Sequence, residues 1–223
     1  MTIHNTTDYD TLLGQDSQRA IGGSAKRAFD LVASVAAAIV VAPLLIMLSL
    51  LILVTNGGPV TIRHQRVGKG GRKFGCFKFR TMVTNGDEVL KRHLAENPAA
   101  MEEWTRNRKL VVDPRVTRLG RILRKTSLDE LPQLFNIIAG DMSFVGPRPI
   151  VEDEIVRYGN AFAEYSRARP GLTGRWQISG RNDTGYDERV KLDREYVTNW
   201  SFSRDIVILV LTIPAVIKAR GVY

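Results

Sequence analysis

The chain's 223 residues suffice for one sizeable core plus appendages. Apolar residues at 44 % and charged residues at 25 % match a globular protein and exclude a chain that is disordered throughout. A net charge of +9 and a pI near 9.9 point to a polyanionic partner: nucleic acid, an anionic membrane or a phosphorylated substrate, among which composition does not choose.

Residues 1–24 are polar, Gly/Ser-rich and lack a basic start, so they read as a flexible leader and not as a signal peptide. Residues 31–54 are then apolar except for Ser34, Pro43 and Ser49. At about 1.5 Å per residue this run is long enough to cross a bilayer core of about 30 Å. A single transmembrane helix or a signal anchor is one reading, but the flanking charge argues for another. Lys26 and Arg27 precede the run, and Arg63, Arg66, Lys69, Arg72 and Lys73 follow it, so both ends favour the cytoplasmic side. Pro43 lies near the middle, where it removes a backbone donor and kinks the helix. A re-entrant membrane helix over residues 25–56, bent at Pro43, answers both observations. Ser34 and Ser49 stand too far away in sequence to repair the carbonyls freed near Ala42.

Residues 60–80 predict a β-hairpin turning at Gly68, Lys69, Gly70 and Gly71, with Phe77 and Phe79 on one face and Lys78 and Arg80 on the other. Without a strand–loop–helix context these glycines form no phosphate-cradling loop. The single cysteine, Cys76, excludes an intrachain disulfide and suits a reducing cytosol. Residues 87–109 predict charged helix broken at Pro98, residues 151–168 one amphipathic helix ending before Pro170, and residues 186–200 another. Residues 206–217 form a second apolar run, too short to cross, containing Pro214 and followed by Lys218 and Arg220. It reads either as a core helix or as an interfacial helix with its cations on anionic lipid. The class is α-rich α+β, with a globular domain over residues 57–223 and no βαβ alternation.

The chemistry concentrates in residues 115–149. Arg115, Arg118, Arg121, Arg124 and Lys125 lead into the acidic pair Asp129–Glu130, and Arg148 follows between Pro147 and Pro149. Ser127 to Glu130 fits a capping box, but Pro132 is tolerated better if the helix begins at Asp129. Either register puts both carboxylates at a helix N-terminus. A carboxylate approaches a diphosphate only if its charge is offset, by Mg²⁺ on one or two carboxylates and by arginine forks. One carboxylate can then serve as nucleophile through an acyl phosphate while its neighbour holds the metal.

With KRAFD, HQRVGKGGRKF, FKFRTM, LRKTSLDELPQLFNIIAGDMSFVGPRP and RPGLTGRWQISGR, the chain resembles the bacterial sugar transferases, the monotopic phosphoglycosyl transferases, from Lys26 nearly to Tyr223. Within them it looks most like the exopolysaccharide-type undecaprenyl-phosphate galactose phosphotransferases. The resemblance implies a re-entrant helix kinked at Pro43 and a catalytic domain on the cytoplasmic face of the bacterial inner membrane. It also implies ping-pong transfer of a hexose 1-phosphate, galactose or glucose, from a UDP-sugar to undecaprenyl phosphate with release of UMP. It puts the nucleophile at Asp129, the Mg²⁺ ligand at Glu130, and substrate-binding cations at Arg124, Arg148 and Arg181. Two departures stand out: Ala42 where many members carry serine before the proline, and Arg175 where relatives are often apolar.

His64 and His93 read as surface histidines, and Trp176 and Trp200 as core or interface packing. Asp187 and Asp193 read as a solvated acidic face, though the resemblance draws Asp193 toward the active-site region. Two other functions compete. A non-catalytic basic adaptor or nucleic-acid binder fits the charge, but Phe77 and Phe79 make a thin stacking platform, so no nucleic-acid partner is expected. A glycosyltransferase acting on a lipid-linked glycan would release UDP instead of UMP. A homo-oligomer is compatible with the sequence, which is silent on its form.

Overall fold

The structure, a computed structural model, describes residues 20–107, 110–180 and 185–218. Helix α1 (Gly23–Asn56) runs for 34 residues with Pro43 inside it. Ahead of it the Ile21 N–H bonds the Arg167 carbonyl, and Gly22 and Gly23 take left-handed φ of 75° and 54° to turn the chain into the helix. One stripe of α1 is buried: Lys26, Asp30 and Ser34 at four-residue spacing, then Leu48 and Ile52. Ala37, Ala38 and Val41 join the same side, packing on Phe74, Leu134, Ile137 and Met142. The opposite side carries Val32, Ile39, Val40 and Val54, each at least 70 % exposed. The helix therefore touches the globular body along its whole length while leaving an apolar face uncovered. Ser34 and Ser49 bond the carbonyls of Leu31 and Leu45 in their own turns and leave the Pro43 turn untouched.

Lys26 and Arg27, read from the sequence as the cationic flank of a membrane segment, are tied up inside the protein. Lys26 Nζ lies 2.5 Å from Asp205 Oδ2, and both residues are buried. Arg27 donates to the carbonyls of Ile137 and Ile138 at 2.6 and 2.8 Å. The reason is electrostatic: those carbonyls end a helix and need donors, and a buried carboxylate needs a cation.

Strands β1 (Thr61–Val67) and β2 (Lys73–Phe79) form the predicted antiparallel hairpin, with Thr61 opposite Phe79 and Val67 opposite Lys73. Gly70 and Gly71 take φ of 64° and 73° in the turn, which favours glycine. Arg80, just past β2, is buried and donates to the carbonyls of Asn56 and Gly58 at 2.6 and 2.7 Å and to that of Gly57, capping the C-terminal end of α1 with a cation. Helices α2 (Gly86–Glu96) and α3 (Pro98–Asn107) break at Pro98 as expected. Then come α4 (Arg118–Lys125), a 3₁₀ turn (Leu128–Glu130) and α5 (Gln133–Ala139). Buried Asn136 of α5 accepts from the Phe77 N–H and donates to the Gly75 carbonyl, both at 2.8 Å, fastening α5 to β2.

A second, unforeseen sheet pairs β3 (Ser143–Val145) with β4 (Gly171–Thr173) in parallel. It explains the glycines of the VGPRP and RPGLTG motifs, because a Cβ on Gly171 would meet the Gly146 nitrogen at 2.1 Å. Residues 151–168 do not form one helix. They divide into a 3₁₀ turn (Glu152–Glu154), α6 (Ile155–Tyr158) and α7 (Ala161–Ser166), because Gly159 takes φ of 49° and ends the first run. After α8 (Arg175–Ile178), α9 (Tyr186–Thr198) matches its predicted position.

Helix α10 (Phe202–Lys218) buries Asp205 and Ile208 but exposes Ile206, Val207, Val210, Leu211 and Ile213, which rules out a wholly buried core helix. Phe202 meets Phe29 of α1 edge-on at 5.1 Å, so the two exposed apolar faces adjoin. Arg220 lies outside the described residues.

Candidate active site

Helix α4 is capped by Thr117, whose Oγ1 accepts from the Gly120 N–H at 2.9 Å. Gly120 presses on the Thr81 carbonyl so closely that a Cβ would sit 2.1 Å from its oxygen. After α4 the chain reverses through Ser127, which takes left-handed φ of 58° and is the one non-glycine residue with positive φ among the described residues. Such a residue costs on the order of 1–3 kcal/mol, a strain that functional sites commonly store. Ser127 caps nothing, so the capping box is not formed. Asp129 and Glu130 sit in the 3₁₀ turn, which passes through Leu131 into α5 with Pro132 as its N-cap. Pro132 therefore breaks no helical hydrogen bond.

Asp129 is buried and Glu130 half-buried. Lys78, reaching over from β2, places Nζ 2.7 Å from Glu130 Oε1 and 3.8 Å from Asp129 Oδ2. Arg124 donates from Nε to Thr81 Oγ1 at 2.9 Å. Burial pushes the Asp129 carboxyl above its ordinary value; Lys78 opposes the rise, Glu130 adds to it and Arg124 opposes it.

These groups line one cavity of about 1080 Å³. Six cations, Arg66, Lys78, Arg121, Arg124, Lys125 and Arg148, border it against three carboxylates, Asp113, Asp129 and Glu130. Such an excess suits an anionic ligand. Much of the remaining wall is apolar, including Leu110, Val111, Val112, Leu172, Leu209 and Val216. Because Leu209 and Val216 belong to α10, the cavity reaches from the acidic pair to the helix with the exposed apolar face.

The cavity thus unites Asp129, Glu130, Arg124 and Arg148, as the sequence suggested; Arg181 lies outside the described residues. Arg115 stays out of it, held by Asp113 at 2.7 Å and lying over the Trp104 ring. Arg175 pairs with Glu195 at 3.2 Å on the surface. His64 is exposed, as expected of a surface histidine, and it also lines the cavity, where partial burial, Arg66, Lys78 and Arg124 lower its pKa. Asp193, read as solvated, is 1 % exposed. Trp176 is buried, as expected, under the Arg148 guanidinium. Lys78 is the site residue that sequence reasoning passed over. Its signal was strand alternation, which set it opposite Phe77 and Phe79 but named no partner.

No three His, Cys, Asp or Glu side chains stand close enough together to hold a metal ion among the described residues. Mg²⁺ does not require three, since it commonly binds through one or two carboxylates plus substrate phosphates and water. The Lys78 ammonium already stands at the Glu130 carboxylate, where a cation is favoured, so the residues fit the ion.

Over residues 21–219 the sequence matches the family described as bacterial sugar transferase. It is 55 % identical over 205 residues to the exopolysaccharide production protein ExoY of Rhizobium meliloti (strain 1021), covering 92 % of this chain and 91 % of that one. It is 52 % identical to the undecaprenyl-phosphate galactose phosphotransferase of Salmonella typhimurium and 50 % identical to the UDP-galactose-lipid carrier transferase of Erwinia amylovora, each over 198 residues. Those two matches cover 89 % of this chain but 41 % of each relative, which is more than twice as long.

Proposed function

The chain belongs to the bacterial sugar transferase family, and from that premise we propose that it transfers a hexose 1-phosphate from a UDP-hexose to undecaprenyl phosphate, releasing UMP. The names of two relatives favour galactose over glucose as the hexose. The observation that carries the reading is Asp129, a buried carboxylate with Lys78, Glu130 and Arg124 around it, in a cationic cavity that borders the apolar helix α10. That arrangement suits a donor entering as a diphosphate and an acceptor that is a phosphate on a lipid chain.

In the first half-reaction an Asp129 carboxylate oxygen attacks the β-phosphorus, the P–O bond to UMP breaks, and an aspartyl phosphosugar remains. In the second, an oxygen of the lipid phosphate attacks the same phosphorus, its bond to Asp129 breaks, and the carboxylate returns. Lys78 and Arg124 face the transferring phosphoryl group and offset its charge, which otherwise repels Asp129. Arg124 is held by Thr81 through Nε, which leaves its two terminal nitrogens to make a fork. Glu130 would hold Mg²⁺, which supplies charge neutralisation at the phosphate oxygens.

The chain has one helix long and apolar enough to cross a membrane by length and composition. We propose that the exposed faces of α1 and α10 instead lie in the cytoplasmic leaflet of the bacterial inner membrane, α1 re-entering at Pro43. Contact of both ends of α1 with one globular body supports this, because a straight span would carry one end to the far side. Tags at both termini should then be inaccessible from the periplasm, whereas a C-terminal tag labelled from outside would restore a plain span.

The reaction is tested by incubating purified protein in detergent with Mg²⁺, undecaprenyl phosphate and a panel of UDP-sugars. UMP formed with one sugar and lost in Asp129→Asn supports the reading. UDP as the product would overturn it in favour of glycosyl transfer.

A further inference from the structure

Arg148 lines the cavity from a loop whose backbone is fixed on both sides. Pro147 precedes it, and Pro149 after it confines its backbone to extended conformations. The buried Tyr165 hydroxyl shares its proton between the Val67 and Arg148 carbonyls at 2.9 and 3.3 Å and accepts from the Ile150 N–H at 3.4 Å. None of this aims the side chain, whose rotamers stay open beyond Cα.

The head group of Arg148 is held unlike those of its neighbours. Arg124 gives Nε to Thr81, Lys78 gives Nζ to Glu130, and Arg115 is bound by Asp113. No hydrogen bond or ion pair with another described residue engages the Arg148 guanidinium. It lies instead over the ring of Trp176, with Cζ 4.9 Å from the centroid. An aromatic face attracts a guanidinium without consuming its N–H donors, which lie in the guanidinium plane.

The fold delivers these two residues together. In the parallel β3–β4 pair Val145 stands level with Thr173, and Arg148 and Trp176 each follow three residues later. Both chains therefore leave the sheet in one direction. Their exits are pressed close: the Gly146 N–H bonds the Thr173 carbonyl at 3.0 Å, and a Cβ on Gly174 would meet the Gly146 oxygen at 2.1 Å. Trp176 is 4 % exposed, so packing confines its ring. Core packing alone would account for that burial, but not for a ring that borders the cavity beneath a half-buried cation.

We propose that Trp176 is a positioning residue, whose ring holds the Arg148 guanidinium with its unspent N–H edge toward the phosphate-bearing ligand of the cavity. The inference rests on the reading above that the ligand is a UDP-hexose, whose diphosphate an arginine fork matches.

The test is a double-mutant cycle on the full chain in detergent, reading by calorimetry the Kd for UDP and for inorganic pyrophosphate, two probes without a hexose. Trp176→Leu keeps an apolar filling but removes the aromatic face. It should weaken binding of both probes by roughly 5- to 30-fold, the equivalent of a partly desolvated cation–π contact. Trp176→Phe keeps a smaller face and should lose only about two- to fivefold, and it covers the case in which the Leu variant folds poorly. In an Arg148→Ala background either substitution should change Kd less than about twofold, because no cation is left on the ring. A role in packing alone would show as a lower thermal midpoint and as losses of affinity independent of Arg148. Equal losses in both backgrounds, a Phe variant no better than the Leu variant, an unchanged Kd in Trp176→Leu, or an unsubstituted chain that binds neither probe would overturn the proposal. The pyrophosphate cycle decides the positioning role even if the unsubstituted chain yields no UMP, an outcome that would count against the reaction instead.

Discussion

Lys26→Met should destabilise the protein far more than its place at the edge of the fold suggests. The ion pair with Asp205 is 2.5 Å long, and its side chains are 6 % and 2 % exposed. Asp205 also accepts from the Tyr196 hydroxyl at 2.7 Å and from Trp200 Nε1 at 3.0 Å. At an effective dielectric of about 20, unit charges at this separation attract by roughly 7 kcal/mol. Dehydrating two ions costs several kcal/mol each, so the pair as a whole contributes little net stability. Removing only Lys26 leaves a buried, uncompensated carboxylate, at a cost of about 3–5 kcal/mol. In a chain of 223 residues each kcal/mol moves the midpoint by about 2–4 °C, which gives a fall of roughly 6–20 °C. The double variant Lys26→Met/Asp205→Asn should recover at least half of that loss, because no charge remains buried and one acceptor for Tyr196 survives. Scanning fluorimetry in detergent measures both. A fall under about 2 °C for the single variant, or no recovery in the double, would refute the claim that this pair fastens α1 to α10.

Other outcomes follow from the same geometry. Glu130→Gln should keep the fold but raise the Mg²⁺ concentration needed for half-maximal UMP release, and an unchanged metal dependence would remove Glu130 from that role. Arg80→Met should uncap the carbonyls of Asn56, Gly57 and Gly58 and cost about 1–3 kcal/mol, read as a lower thermal midpoint and faster proteolysis near Asn56. Burial pushes the Asp193 carboxyl from 3.8 up to about 6. A folded-state value above the unfolded one stabilises only the protonated form, fully below about pH 4, and that contribution is lost as pH rises through about 6. The unsubstituted protein should therefore lose on the order of 3 kcal/mol relative to Asp193→Asn between pH 4 and 7, seen as a widening gap in midpoint.

What the sequence made legible was mostly local. The hairpin turn at Gly70–Gly71, the break at Pro98 and α9 follow from turn chemistry and periodicity within a dozen residues. Asp129, Arg124 and Arg148, which line one cavity, stood out because their chemistry is dense in one segment. The rest depends on distant partners. Lys26 reads as a membrane flank until Asp205 is found 179 positions away, and Lys78 reads as a solvated strand residue until Glu130 meets it 52 positions later. Asp193 looked solvated because alternation of charge along α9 hides which acids turn inward. Ser127 matched a capping box by spacing, but its backbone is left-handed, whereas a capping residue is ordinarily extended, and its side chain makes no cap bond.

The most direct measurement is intact and peptide mass analysis after brief incubation of the full chain with UDP-galactose and Mg²⁺, without lipid phosphate. One hexose phosphate is expected on the peptide containing Asp129, discharged when undecaprenyl phosphate is added and never formed in Asp129→Asn. Full-rate UMP release in the presence of lipid phosphate, with no adduct at any quench time, would contradict this expectation and require direct displacement without an aspartyl intermediate.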